Sequence, residues 1–96
     1  MSTDGIQRED FGSKGRYVLR RNGVEAEITF SVTTPTLIIA DHTEVPAALR
    51  GTGAGAELVA FMVADMRTRG AKVMPLCPFV NAERKKHPEW ADAFAA

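Results

Sequence analysis

The sequence VPAALRGTGAG, residues 45–55, lies between an apolar run, Leu37 to Ala40, and a long amphipathic segment, Ala54 to Arg69. An extended segment that turns through glycines into a helix leaves backbone N–H groups without partners. The helix dipole adds partial positive charge at the same place, which favours an oxyanion. Glycine suits such a turn because a Cβ would obstruct the anion, and because some N–H groups converge only at positive φ. The stretch therefore predicts a phosphate-binding loop between a strand and a helix.

The spacing of the glycines distinguishes among the known sequence patterns of phosphate-binding loops. Arg50, Gly53 and Gly55 fit the pattern R-x-x-G-x-G. A Walker-type loop is excluded because no lysine follows the glycines. The dinucleotide pattern G-x-G-x-x-G is excluded because its third glycine would fall on Leu58. If only these three positions are considered, the alternative to a phosphate-binding loop is a glycine-rich strand-to-helix turn that binds no ligand.

Composition describes one ordinary globular domain. The 96 residues suffice for a single core, and 45% are hydrophobic and 25% charged. Twelve basic and twelve acidic side chains cancel, so no global field favours nucleic acid or an anionic membrane. No apolar run approaches the roughly 20 residues of a membrane span, and we expect a cytoplasmic protein, a monomer or weak dimer. The single cysteine, Cys77, excludes an internal disulfide and a cysteine-based zinc site, and we expect no metal.

Alternation of apolar and polar residues predicts an antiparallel meander. Residues 16–20 alternate, Asn22-Gly23 is a strong hairpin signal, and Val24 to Val32 alternate again. Thr36 to Val45 is the next strand, with its apolar half in the centre of the sheet. Residues 1–13 are expected to be a loosely ordered start, with at most a short edge strand.

The second half of the chain predicts a strand–helix–strand unit. The core-facing helix runs from Ala54 to Arg69, and the short strand from Ala71 to Cys77. A strand, a helix and a second strand that follow one another in one sheet require a crossover connection, so the two strands are parallel. A last helix begins at Pro78 and ends before Pro88, and residues 91–96 are expected to fray. The predicted fold class is α+β in a single domain of residues 1–96.

The central strand becomes polar towards its end. Because side chains alternate, His42 and Glu44 are expected on one face, and Asp41, Thr43 and Val45 on the other. This end of the strand either enters a cleft or simply reaches solvent.

From about Tyr17 to Trp90 the sequence resembles the GNAT acetyltransferase superfamily, whose R/Q-x-x-G-x-G/A loop binds the pyrophosphate of acetyl-coenzyme A. With residues 75–79, PLCPF, and 87–90, HPEW, it is similar to the compact YjdJ-type acetyltransferase group. The resemblance implies a GNAT-like core whose two parallel strands splay apart between residues 43–45 and 76–78. The pantetheine arm of the cofactor would lie in that gap. On this resemblance the cofactor-binding residues are Val45, Arg50, Gly51, Thr52, Gly53, Ala54, Gly55, Cys77 and Phe79.

The resemblance also implies transfer of an acetyl group from acetyl-coenzyme A to an amine, which would be a small molecule, a peptide or a protein lysine. Such a reaction needs a base and donors for the oxyanion. Glu44 and His42 are the candidate bases. Cys77 could instead accept the acetyl group covalently, activated by His42 or by the helix that begins at Pro78. Its alternative role is that of a small buried hydrophobic residue.

Larger members of the superfamily have extra acceptor-binding elements, and many use a tyrosine on the last helix to protonate the departing thiolate. Here the tyrosine is Tyr17, on the first hairpin, while the last helix offers Glu83 and Arg84. A non-catalytic module that binds coenzyme A or acyl-coenzyme A is therefore the alternative function. A third possibility is an interaction domain that uses the basic residues 84–86.

Overall fold

A five-stranded sheet with two helices packed on it forms the residues described by this computed structural model, 5–95. In sheet order the strands are β1 (Gly5–Phe11), β2 (Lys14–Arg21), β3 (Val24–Thr34), β4 (Leu37–Glu44) and β5 (Lys72–Pro75). Helix α1 (Ala54–Arg69) connects β4 to β5, and α2 (Pro78–Lys86) follows β5. Short 3-10 helices span Ala47–Leu49 and Pro88–Ala93. Within residues 5–95, neither α-helix has the length and apolar character needed to cross a membrane.

Strand pairing confirms the predicted α+β fold class. Strands β1 to β4 are antiparallel neighbours, and β4 and β5 are parallel. The hairpin between β2 and β3 turns at Asn22 and Gly23, whose φ angles are +53° and +75°. Two consecutive positive φ angles suit the right-handed twist of the strands, which explains why Asn-Gly is favoured there.

The core lies between the sheet and α1. Alternate residues of β2 and β3 face the helix, and Tyr17, Leu19, Ile28 and Phe30 are fully or almost fully buried. The helix contributes a buried stripe at helical spacing, formed by Leu58, Val59, Met62, Val63 and Met66. The methionines are core residues, as their spacing predicts.

The structure settles the expectations for the two ends of the chain. Residues 5–11 form the edge strand β1, which is one of the two alternatives for the start of the chain, and residues 1–4 lie outside the described part. The expected fraying tail is wrong as far as Ala95. Phe94 is buried, and the N–H of Ala95 donates to the carbonyl oxygen of Val73 at 2.8 Å. The C-terminal segment packs against the domain because the side chain of Phe94 is buried beside β5.

Cross-strand charges cover the sheet near β1. The Arg16 Nε donates to Glu9 Oε1 at 2.7 Å, Gln7 Nε2 to Glu9 Oε2 at 2.8 Å, and Arg20 Nη2 to the same oxygen at 3.1 Å. Hydrogen bonds from Arg16, Gln7 and Arg20, in that order of effect, lower the pKa of the Glu9 carboxyl from its ordinary 4.5 to about 2. Charge-assisted bonds of this kind favour the ionised form of Glu9 in the folded state.

Glu9 is expected to make folding sensitive to acid. A carboxyl whose pKa is lower in the folded state stabilises the fold above pH 4.5, and that contribution is lost as the pH falls towards 2. Glu9→Gln should therefore reduce the urea midpoint at pH 7, and the difference from wild type should be clearly smaller at pH 3. An equal difference at both pH values would contradict this account.

Candidate functional site

Strands β4 and β5 separate at the place where the resemblance puts a cleft. Their ladder runs from Leu37↔Lys72 to Ala40↔Pro75. One further bond follows, from the N–H of Cys77 to the carbonyl oxygen of Ala40 at 2.9 Å. Within the described sheet, the remaining residues of β4 pair with β3 only. The side of β4 that faces away from β3 is thus open beyond Ala40.

A β-bulge in β4 decides which side chains face the helices. The β3 partners of Ala40 and His42 are adjacent residues, so Asp41 is an extra residue in the strand. A bulge of this kind interrupts the alternation of side chains. Thr43 therefore lies on the same face as Ala40, while His42 lies on the opposite face.

The predicted faces are right for two residues and wrong for a third. His42 and Glu44 lie together, with 3.4 Å between Nε2 and Oε2, and their side chains are 68% and 67% exposed. Asp41 does not share the face of Thr43. It accepts a hydrogen bond from the Ser31 hydroxyl at 2.6 Å on the outer face, because the bulge turns it there.

Cys77 is buried at the start of α2. It is the N-cap residue of that helix and is 3% exposed. Its Sγ lies 3.1 Å from the Oγ1 of Thr43. The structure therefore brings Cys77 together with Thr43, whereas His42 points to the other face of the sheet.

The glycine loop turns into α1 through two glycines in the left-handed conformation. Gly51 and Gly53 have φ angles of +78° and +84°, a region that side chains with a Cβ rarely adopt. Gly53 is the N-cap of α1 and provides no side-chain hydrogen bond to the first turn. The Thr52 hydroxyl donates to the carbonyl oxygen of Leu49 and closes the turn. The Nε of Arg50 donates to the carbonyl oxygen of Val45 at 3.1 Å.

The third glycine of the pattern has a packing role. A Cβ on Gly55 would lie 2.6 Å from the ring of Phe79, closer than real contacts allow. Gly55 therefore lets the start of α1 approach α2. At Gly51 and Gly53, by contrast, no atom lies within 4 Å of the position of a Cβ.

These elements enclose a groove of about 440 Å³. Its lining includes the following predicted site residues: Glu44, Val45, Arg50, Gly51, Gly53, Ala54, Gly55 and Phe79. Three other predicted site residues are not in its lining: His42, Thr52 and Cys77. Four further residues complete the lining: Thr43, Leu49, Ala56 and Glu83.

Two of the additional residues bear chemically useful groups. Glu83 follows Phe79 by four residues, so helical spacing indicates that both face the same way. That signal could have identified Glu83 from the sequence. No such signal in the sequence identifies Thr43. Simple alternation along β4 places Thr43 on the face opposite Ala40, and only the bulge at Asp41 brings the two residues to the same face.

Comparisons with known proteins agree with this architecture. A family model described as GCN5-related N-acetyl-transferase matches residues 16–93. The solution structure of a GCN5-like candidate N-acetyltransferase from Staphylococcus aureus is similar, with 27% identity and a TM-score of 0.71. The match covers 100% of this chain and 92% of that one. A search of curated proteins gave no significant match. The narrower likeness to the YjdJ-type group stays a prediction, but the chain belongs to the family of GCN5-related N-acetyltransferases.

Proposed function

We propose that this protein transfers an acetyl group from acetyl-coenzyme A to an amine. The observation that carries the proposal is one groove, which joins the glycine loop at the start of α1 to the end of β4, beyond the point where β4 stops pairing with β5. Membership of the acetyltransferase family supports the reaction class. The acceptor would be a small amine, a peptide or a protein lysine.

The groove residues fit the phosphates of the cofactor. The open space beside Gly51 and Gly53 leaves room for an anion against the backbone. The first N–H groups of α1 have no side-chain cap, and the helix dipole adds partial positive charge. Arg50 supplies a cation at the same loop. We therefore assign the pyrophosphate to residues 50–55.

The rest of the groove suits the pantetheine arm. Open backbone of β4 beyond Ala40 offers hydrogen-bonding groups to its amides. Val45, Leu49 and Phe79 provide apolar contacts along the same path. When bound, the cofactor supplies an acetyl group activated as a thioester.

Glu44 is the proposed base. An amine attacks only through its free electron pair, so an ammonium acceptor must first lose a proton. Glu44 is one of the groove-lining residues, and its side chain is 67% exposed beside His42, so it is placed to accept that proton and exchange it with water. His42, 3.4 Å away, can receive the proton from Glu44 on the outer face.

The position of Cys77 favours direct transfer over an acetyl-cysteine route. Cys77 is buried, its Sγ lies 3.1 Å from the Thr43 hydroxyl, and it is not one of the groove-lining residues. A covalent nucleophile must reach the thioester carbon, which is easier from an exposed position. We assign Cys77 a packing role beside the reacting end of the groove.

Calorimetric titration with acetyl-coenzyme A tests the proposal. We expect saturable binding at micromolar strength or tighter, about −8 kcal/mol. Incubation with a panel of primary amines should then release coenzyme A, measured as free thiol. Binding without thiol release would favour a non-catalytic coenzyme A module. No detectable heat at several temperatures would overturn the cofactor assignment.

A further inference from the structure

Helix α2 places a buried carboxylate in the groove. Among residues 5–95, Glu83 is the only charged side chain that is buried, with 7% exposed. It lines the groove one turn after Phe79. Burial of an ionised carboxylate is unfavourable unless other groups compensate it. The groups that contact the Glu83 carboxylate therefore indicate what compensates its burial.

The partners of Glu83 lead from the groove to the surface. Its Oε2 lies 3.9 Å from His87 Nε2, and His87 Nδ1 lies 2.9 Å from Glu89 Oε2. The imidazole stacks on the ring of Trp90 with 3.9 Å between centroids. The other oxygen, Oε1, lies 3.4 Å from the exposed Lys86 Nζ. Carboxylate, imidazole and carboxylate thus form a row whose outer end is exposed.

Few other charged residues line the groove near the row formed by Glu83, His87 and Glu89. Glu44 of β4 and Arg50 of the loop share the groove lining with Glu83. The first turn of α1 contributes only uncharged residues to that lining, residues 53–56. The titratable neighbours of Glu83 at this end of α2 are Lys86 and His87, the residue that ends the helix.

We propose that Glu83 carries a proton out of the groove, and that His87 is the positioning residue that links it to Glu89 and solvent. The inference rests on the proposed acetyl transfer. An ammonium nitrogen loses two protons when it becomes an amide. Glu44 takes the first before attack, and Glu83 takes the second as the new C–N bond forms and the C–S bond breaks. The coenzyme leaves as a thiolate, which takes a proton from water.

The distance from Glu83 to His87 is compatible with this role. Catalytic hydrogen bonds are often long without ligand and shorten in the complex. Stacking on Trp90 holds the plane of the imidazole, and the 3.9 Å between Glu83 Oε2 and His87 Nε2 must shorten by about 1 Å for a hydrogen bond to form.

Proton uptake on binding tests the inference without turnover. A base must be ionised in the complex if it is to accept a proton there. Calorimetric titration with coenzyme A at pH 7, in HEPES and in imidazole buffer, gives the number of protons taken up. Wild type should take up no more protons than Glu83→Gln, and the exposed control Glu25→Gln should match wild type.

Kinetics with an active amine provide the second measurement. Glu83→Gln should lower kcat about 100-fold, the usual scale of acid–base catalysis, and change the Kd of acetyl-coenzyme A by less than about threefold. His87→Gln should lower kcat by about tenfold with the Kd unchanged. This variant keeps the test available if Glu83→Gln does not fold.

The possible outcomes separate this inference from the proposed function. If wild type does not bind coenzyme A, both are wrong. If it binds and takes up a proton that Glu83→Gln does not, Glu83 is neutral in the complex and the inference is wrong, whatever the activity. If Glu83→Gln loses affinity in proportion to kcat/KM, Glu83 is a binding residue and the proton role is overturned.

Discussion

Gly53→Asp is expected to weaken the binding of acetyl-coenzyme A at least 100-fold, which corresponds to about 2.7 kcal/mol. Gly53 is the N-cap of α1, and the space around it is open. An aspartate there would accept hydrogen bonds from the first-turn N–H groups, as N-cap carboxylates do. Its negative charge would occupy the cradle that we assign to the pyrophosphate. Calorimetric titration of the variant gives the change in Kd directly.

Gly53→Asn is the matched control for charge. Asparagine has nearly the same size as aspartate, and it tolerates the left-handed conformation that Gly53 adopts at φ +84°. The neutral variant should therefore lose affinity by only about tenfold. If the aspartate variant binds as tightly as wild type, the glycine loop does not hold the phosphates.

Phe94→Ala is expected to reduce the free energy of unfolding by about 3 kcal/mol, the lower end for a buried phenylalanine. Phe94 is 5% exposed and belongs to the hydrophobic core. It also bridges Val73, the β5 residue whose carbonyl oxygen accepts the N–H of Ala95. Loss of the ring should leave a cavity and release the docked tail. Urea denaturation measures the change, and the midpoint of thermal unfolding should fall by roughly 10 °C or more.

Phe11→Ala serves as the exposed counterpart of that substitution. Phe11 ends the edge strand β1 and is 62% exposed. Its replacement should change the free energy of unfolding by about 0.5 kcal/mol or less. Equal effects of the two substitutions would show that the C-terminal segment does not dock as described.

Local sequence signals predicted the elements that depend on near neighbours. The Asn22-Gly23 turn sets the hairpin of β2 and β3, because both residues accept positive φ angles. The apolar stripe of α1 follows from helical spacing. The glycine loop was predicted because a strand, glycines and a helix follow one another in the chain.

Features that depend on distant contacts were not predictable in this way. The bulge at Asp41 depends on how β4 aligns with β3, and it alone places Thr43, instead of His42, beside Cys77. The docked tail depends on space beside β5 for Phe94. Neither relation involves residues that are close in sequence.

The candidate site shows the same division between local and distant causes. The sequence by itself determined the glycine loop, because glycine conformation and helix start are properties of a few consecutive residues. Only the tertiary structure decided which acidic residues line the groove and that Cys77 is outside its lining. Glu83 enters the groove because α2 packs against the first turn of α1, where Gly55 leaves room for Phe79. Helical spacing places Glu83 on the same face as Phe79, but packing between elements far apart in the chain decides that this face meets the groove.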